Sequence, residues 1–225
     1  MIGLALILAM QAAPQPQPQP KIENTPAPWP DHERELGMVD AYTTDSDSMA
    51  RRTMSAFAAC VVEGSTDKAS ALLLSDFRAN SYRAGIQTMI RNNDHCGRKV
   101  GLQGRLKMAN LSFAGALAEA LMKQRGAPLN AQLARAAASP AAPTYSFTDS
   151  VAMCVARSAP DQVAALFATT PGSAEETTAI NVLATPAALC AQAAKARKPL
   201  SISPAGLRAM LATASFRSVA SMKEV

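Results

Sequence analysis

The spacing of four cysteines constrains this chain more than any other feature. Cys60 and Cys96 are 36 residues apart, as are Cys154 and Cys190, and a shift of 94 residues places one pair on the other without a gap. Neighbours obey the same shift: Ala58 falls on Ala152, Val61 on Val155, Asp67 on Asp161, Ala71-Leu72 on Ala165-Leu166 and Ile86 on Ile180. With the cysteines, 8 of the 39 columns from Ala58 to Cys96 are identical. Unequal columns mostly keep their polarity, as in Leu73/Phe167 and Met89/Leu183. Self-similarity at a fixed shift reads as one structural unit used twice. Each unit would hold about 90 residues, few enough that a covalent crosslink would add substantially to a small core.

Four cysteines allow three pairings. Two copies of one unit should close in the same way, which selects Cys60–Cys96 and Cys154–Cys190. Each bridge is expected to stabilise by roughly 3–4 kcal/mol, chiefly by restricting the unfolded chain. Such bonds persist in oxidising compartments, and the N-terminus agrees. Ile2 to Met10 is an apolar run of nine followed by Gln11-Ala12-Ala13, long enough for a signal peptide and too short to span a bilayer. No Lys or Arg accompanies it, a departure from the usual signal pattern. Pro14 to Pro20 then reads PQPQPQP, which cannot continue a helix. The expected division is a signal peptide at 1–13, a Pro-rich tether at 14–43, unit 1 at 44–125, an Ala/Pro linker at 126–144 and unit 2 at 145–225. Trp29, flanked by prolines, is expected to dock on the folded part. The mature chain is expected in the periplasm or secreted, with no transmembrane segment.

Aromatic residues make up 4% of the chain, and alanine and leucine, both strong helix formers, supply much of the apolar content. Met54, Phe57, Ala58 and Val61 lie on one helical face, with a break at Gly64 and a new start at Ser65-Thr66-Asp67. A short second helix carries Ala69, Leu72 and Leu73. A third carries Tyr82, Ile86, Met89 and Ile90, and a fourth runs from about Ser112 to Lys123. Unit 2 repeats this plan. Pro160 opens its second helix, an early position that tolerates proline. Pro186 should kink or divide its third. Ser203 and Pro204 open its last. After the second cysteine of each unit the register slips by three or four residues, read as a difference in loop length. The expected fold is all-α: two tandem four-helix repeat units, each with a disulfide tying its first helix to the end of its third.

The doubled cysteine-pair unit, the segment Ala71-Leu72-Leu73 and the run from Ala114 to Leu121 resemble a group of exported two-repeat helical proteins of alphaproteobacteria. The resemblance covers about Asp45 to Phe216. Unit 2 departs from it between Gly206 and Leu211, where no glutamate matches Glu119. It implies a helical, exported, doubled fold and carries no established activity.

Catalytic patterns are sparse. The two histidines are His32, between Asp31 and Glu33, and His95, next to Cys96. Neighbouring helical residues point about 100° apart, so His95 is expected to be poorly placed to activate Cys96, which the pairing consumes in any case. Two histidines and no close CxxC pair argue against a metal site, and no cofactor is implied. Serine nucleophiles lack a GxSxG elbow. Glu175-Glu176 reads as a pair of acids complementing a helix N-terminus. Nucleic acid is not an expected partner, since basic residues are not interleaved with aromatics. Basic residues do concentrate in unit 1, and Arg83, Arg91 and Arg98 form a candidate contact patch for an envelope protein, lipid or peptide. The expected function is a non-catalytic interaction module of the cell envelope. The alternative is an envelope hydrolase whose site assembles in three dimensions from residues such as Glu119, Asp94 and Tyr82.

Overall fold

The computed structural model describes residues 44–102, 108–196 and 201–222. The expected signal peptide and tether, including Trp29, lie outside them. Among the described residues all regular structure is helical. Unit 1 contains α1 (Thr44–Leu74), α2 (Asn80–Asn92), α3 (Asp94–Lys99) and α4 (Asn110–Gln124). A connecting helix, α5 (Leu129–Ala138), precedes α6 (Phe147–Ser158), α7 (Pro160–Ala168), α8 (Ala174–Ala193) and α9 (Pro204–Ala220) of unit 2. Disulfides join Cys60 to Cys96 and Cys154 to Cys190, with Cα atoms 5.7 and 5.8 Å apart. The first fastens α3 to α1, and the second fastens α8 to α6.

The shift of 94 residues extends well beyond the cysteines. Ser65 leaves helical geometry inside α1 (φ −147°, ψ 34°), and its counterpart Ala159 does the same between α6 and α7 (φ −133°, ψ 51°). Thus α1 corresponds to α6 and α7 together. Ser65 breaks the helix as anticipated, while the Thr66 hydroxyl donates back to the Val62 carbonyl at 2.7 Å. At the next turn, the hydroxyls of the counterparts Ser75 and Thr169 each donate at 2.6 Å, to the carbonyls of Leu72 and Leu166. Helices α2 and α8 start 94 residues apart, at Asn80 and Ala174, and so do α4 and α9, at Asn110 and Pro204. The expected slip after the second cysteine is therefore absent at the helix starts. Side chains diverged there while the helix positions did not.

The third helices of the two units differ. Pro186 lies inside α8 without dividing it. Its ring displaces the hydrogen bond to Val182, which is 55% exposed, so water can meet that carbonyl. Unit 1 instead separates α2 from α3 at Asn93 (φ −118°, ψ 34°). The linker also does more than connect. α5 packs on α6, α7 and α9, and Arg157 donates to the carbonyls of Ala136, Ala137 and Ser139 at 2.6–2.9 Å. A cation thereby satisfies the C-terminal end of α5.

The units share one core. Phe57 of α1 packs on Phe113 of α4 with ring centroids 5.6 Å apart, and α4 packs on α9. The crossing is made close by small residues. A Cβ added at Gly115 would lie 2.6 Å from the Ala209 Cα. Gly115 and Ala209 are themselves counterparts, so the units meet as around a local two-fold axis. Gly115→Ala is expected to cost about 1–3 kcal/mol through overpacking against backbone. Gly64→Ala, a helical site with nothing within 4 Å of the new Cβ, should be neutral or stabilising by up to about 1 kcal/mol. Urea denaturation of both variants checks this contrast.

Candidate functional site

Most charged side chains that α4, α8 and α9 turn inward belong to one buried network. Arg208 of α9 donates to Glu119 of α4 through Nε at 2.8 Å and through a terminal nitrogen at 2.7 Å. Its remaining N–H groups reach Thr169 Oγ1 at 3.0 Å, the Thr169 carbonyl at 3.1 Å and Glu176 at 3.0 Å. A guanidinium has five N–H donors, and each is used here. Glu176, at the start of α8, also accepts two hydrogen bonds from Arg51 of α1 at 2.6 and 2.7 Å and one from the Gly172 N–H at 2.8 Å. The Arg208 and Glu176 side chains are 4% and 3% exposed. Burial by itself would raise the Glu176 carboxyl. The Arg51 contact, the Gly172 N–H and Arg208 outweigh it and hold the group below the usual carboxylate range. Burial would likewise lower Arg208, but Glu119 and Glu176 keep it above its ordinary value.

Gly172 completes the cradle. Its φ of +79° favours glycine, and a Cβ there would lie 2.7 Å from the Ser48 Cα. The Ser48 hydroxyl donates to the Gly172 carbonyl at 3.0 Å. The start of α1 is thus clamped on the α7–α8 turn of unit 2. The reciprocal contact is aromatic. Tyr145, the counterpart of Arg51, packs edge-on against Phe77 in the α1–α2 turn, with centroids 5.5 Å apart. Arg217 of α9 lies 5.4 Å from the centre of the Tyr145 ring, pairs with the buried Asp149 and donates to the Pro143 carbonyl at 2.9 Å. Burial pushes the nearby Tyr82 hydroxyl above its ordinary range.

The residues considered for a hydrolase therefore occupy separate settings. Glu119 belongs to the Arg208 network. Tyr82 is buried beside Phe77, with ring centroids 6.5 Å apart. Asp94 is exposed and pairs with Arg98 at 2.9 Å, which lowers its carboxyl. Arg83, Arg91 and Arg98 all reach the surface, on α2 and α3. Arg91 donates to the Thr88 hydroxyl at 3.1 Å. Glu176 is a network hub, a role beyond complementing the helix dipole. Helical periodicity gave neither Arg51 nor Arg208 a buried role. A lone cation amid Leu207, Ala209, Met210 and Leu211 is the signal that marks Arg208.

One expectation is overturned near the first disulfide. The His95 Nε2 lies 3.4 Å from Cys96 Sγ, so its ring folds back onto the bridge although the two residues are adjacent. Ligand-capable atoms of Cys60, His95 and Cys96 all lie within 4.8 Å of one another. The disulfide engages both sulfurs.

Glu176→Gln should lower stability at pH 7 by about 3–5 kcal/mol, because Arg51 and Arg208 then lose a buried counter-charge. The Glu176 carboxyl is depressed in the folded state. Its contribution is thus complete at neutral pH and is lost as pH falls from the ordinary value of 4.5 through the lowered one. Denaturation midpoints between about pH 7 and pH 3 should fall in the native chain and fall less steeply in the variant.

No family model, curated protein or solved structure matches this chain.

Proposed function

We propose that this chain is an exported, non-catalytic interaction module of the cell envelope that meets an anionic surface through the outer face of α2 and α3. One observation carries the reading. Arg83, Arg91, Arg98 and Lys99 are all exposed, whereas their counterparts 94 residues on are Thr177, Thr185, Gln192 and Ala193, exposed and uncharged. Two units of the same build thus present a cationic surface in one and an uncharged surface in the other at matching positions. Cations grouped on one face attract anionic headgroups and polyanions, each contributing about 1 kcal/mol near a charged membrane. The exposed Asp94–Arg98 pair contributes little by itself, so Arg98 can exchange that partner for another.

Export is supported by two disulfides, which suit an oxidising compartment, and by the apolar run from Ile2 to Met10. No helix among the described residues is long and apolar enough to cross a membrane, which suits attachment at a surface. The likeness to exported two-repeat helical proteins of alphaproteobacteria belongs to the same reading.

The full chain is expected to bind vesicles containing phosphatidylglycerol, with affinity falling as salt rises. The triple variant Arg83→Glu, Arg91→Glu, Arg98→Glu should bind at least about tenfold more weakly, on the per-cation contribution above. Vesicle co-sedimentation measures both. No binding by the native chain, or undiminished binding by the variant, removes this face from the proposal.

A further inference from the structure

We infer that the Cys60–Cys96 bridge is a thiol–disulfide exchange site for dithiol reductants, with His95 assisting departure of the Cys96 sulfur, whereas Cys154–Cys190 is purely structural. The inference is independent of the envelope-contact reading above.

The two bridges form a controlled comparison inside one molecule. Both close over 36 residues with Cα separations of 5.7 and 5.8 Å. Both pair a half-buried cysteine, Cys60 or Cys154, with a buried one, Cys96 or Cys190. They differ in what stands beside the buried sulfur. At Cys96 it is the His95 imidazole, with Nε2 at 3.4 Å. At Cys190 it is the Ser158 hydroxyl at 3.8 Å, and the counterpart of His95 is Leu189, which is 60% exposed and apolar. His95 is itself exposed, so it can exchange protons with solvent.

Residue exposure sets the direction of attack. Cys60 is half-buried and Cys96 fully buried, so an incoming thiolate forms its new S–S bond to Cys60 Sγ. The Cys60–Cys96 bond breaks and its electron pair leaves on Cys96. A thiolate forming next to an imidazolium is stabilised and leaves faster. The imidazolium N–H donates to that sulfur and transfers its proton, and the neutral ring then recovers one from water. The second thiol of the reductant displaces Cys60 from the mixed disulfide and closes the reductant's own disulfide. Two electrons and two protons pass from dithiol to protein. The outcome is α3 released from its covalent tie to α1.

The test uses the full chain with limiting dithiothreitol. Samples are quenched with an alkylating reagent, and mass spectrometry of the cysteine peptides follows each bridge separately. Cys60–Cys96 should open at least about tenfold faster than Cys154–Cys190, a modest share of what a positioned acid supplies. His95→Leu, which copies unit 2, should slow the first bridge and leave the second unchanged. Leu189→His should speed the second. General loosening of the fold would accelerate both bridges together, and so is distinct from the predicted pattern. Equal rates in the native chain overturn the inference whatever the variants do, and so does a fast first bridge that His95→Leu leaves fast.

Discussion

The Arg208 guanidinium is the group on which the assembly of the two units depends. Its five donors reach α4, the turn before α8 and the first turn of α8. Glu176 extends the same network to Arg51 on α1. Four helices and one turn from both units therefore share a charge arrangement that cannot be dismantled stepwise. Removing one member leaves buried partners uncompensated, which costs more than any exposed pair could recover. Hydrophobic burial still supplies most of the driving force. What the network adds is a defined relative placement, because Ala-rich helices with Gly115 and Ala209 at their crossing could otherwise slide.

The two units show how equivalent frameworks take different chemistry. Kinks, turns and helix starts keep the shift of 94 residues, and the inter-unit clamps are reciprocal in position. One clamp is ionic, Arg51 on Glu176. The other is aromatic, Tyr145 on Phe77, backed by Arg217. The same divergence reaches the surface, where cations on α2 and α3 stand at positions that are uncharged on α8, and His95 stands where unit 2 has Leu189. Backbone geometry in such a helical pair is set by small apolar positions and covalent staples. Exposed positions are then open to change.

Much of the framework was legible in the residues. The cysteine spacing identified both bridges, and Ser203 caps α9 as its position suggests, with the Gly206 N–H donating to its hydroxyl at 3.2 Å. Apolar periodicity located Phe57, Val61 and Ile86 in the core. The network was not legible, because its partners lie 32, 89 and 125 residues apart and periodicity reports one helix at a time. Charge on the inner side of α9 contradicts the amphipathic pattern, and only tertiary partners resolve that conflict. The contact between His95 and Cys96 was missed because an argument from Cα–Cβ directions ignores how far an imidazole reaches. The register slip was misread because side-chain similarity was taken as a measure of helix position.

The central claim is that the units form one cooperative structure held through α4 and α9. Native-state hydrogen exchange measures it most directly, since amides that open together report a single unfolding free energy. The account predicts that the slowest amides of α4 and α9 share one value, equal to that of global unfolding, and respond identically to denaturant. Two distinct values, one for each unit, would show that the halves unfold independently and would contradict the account.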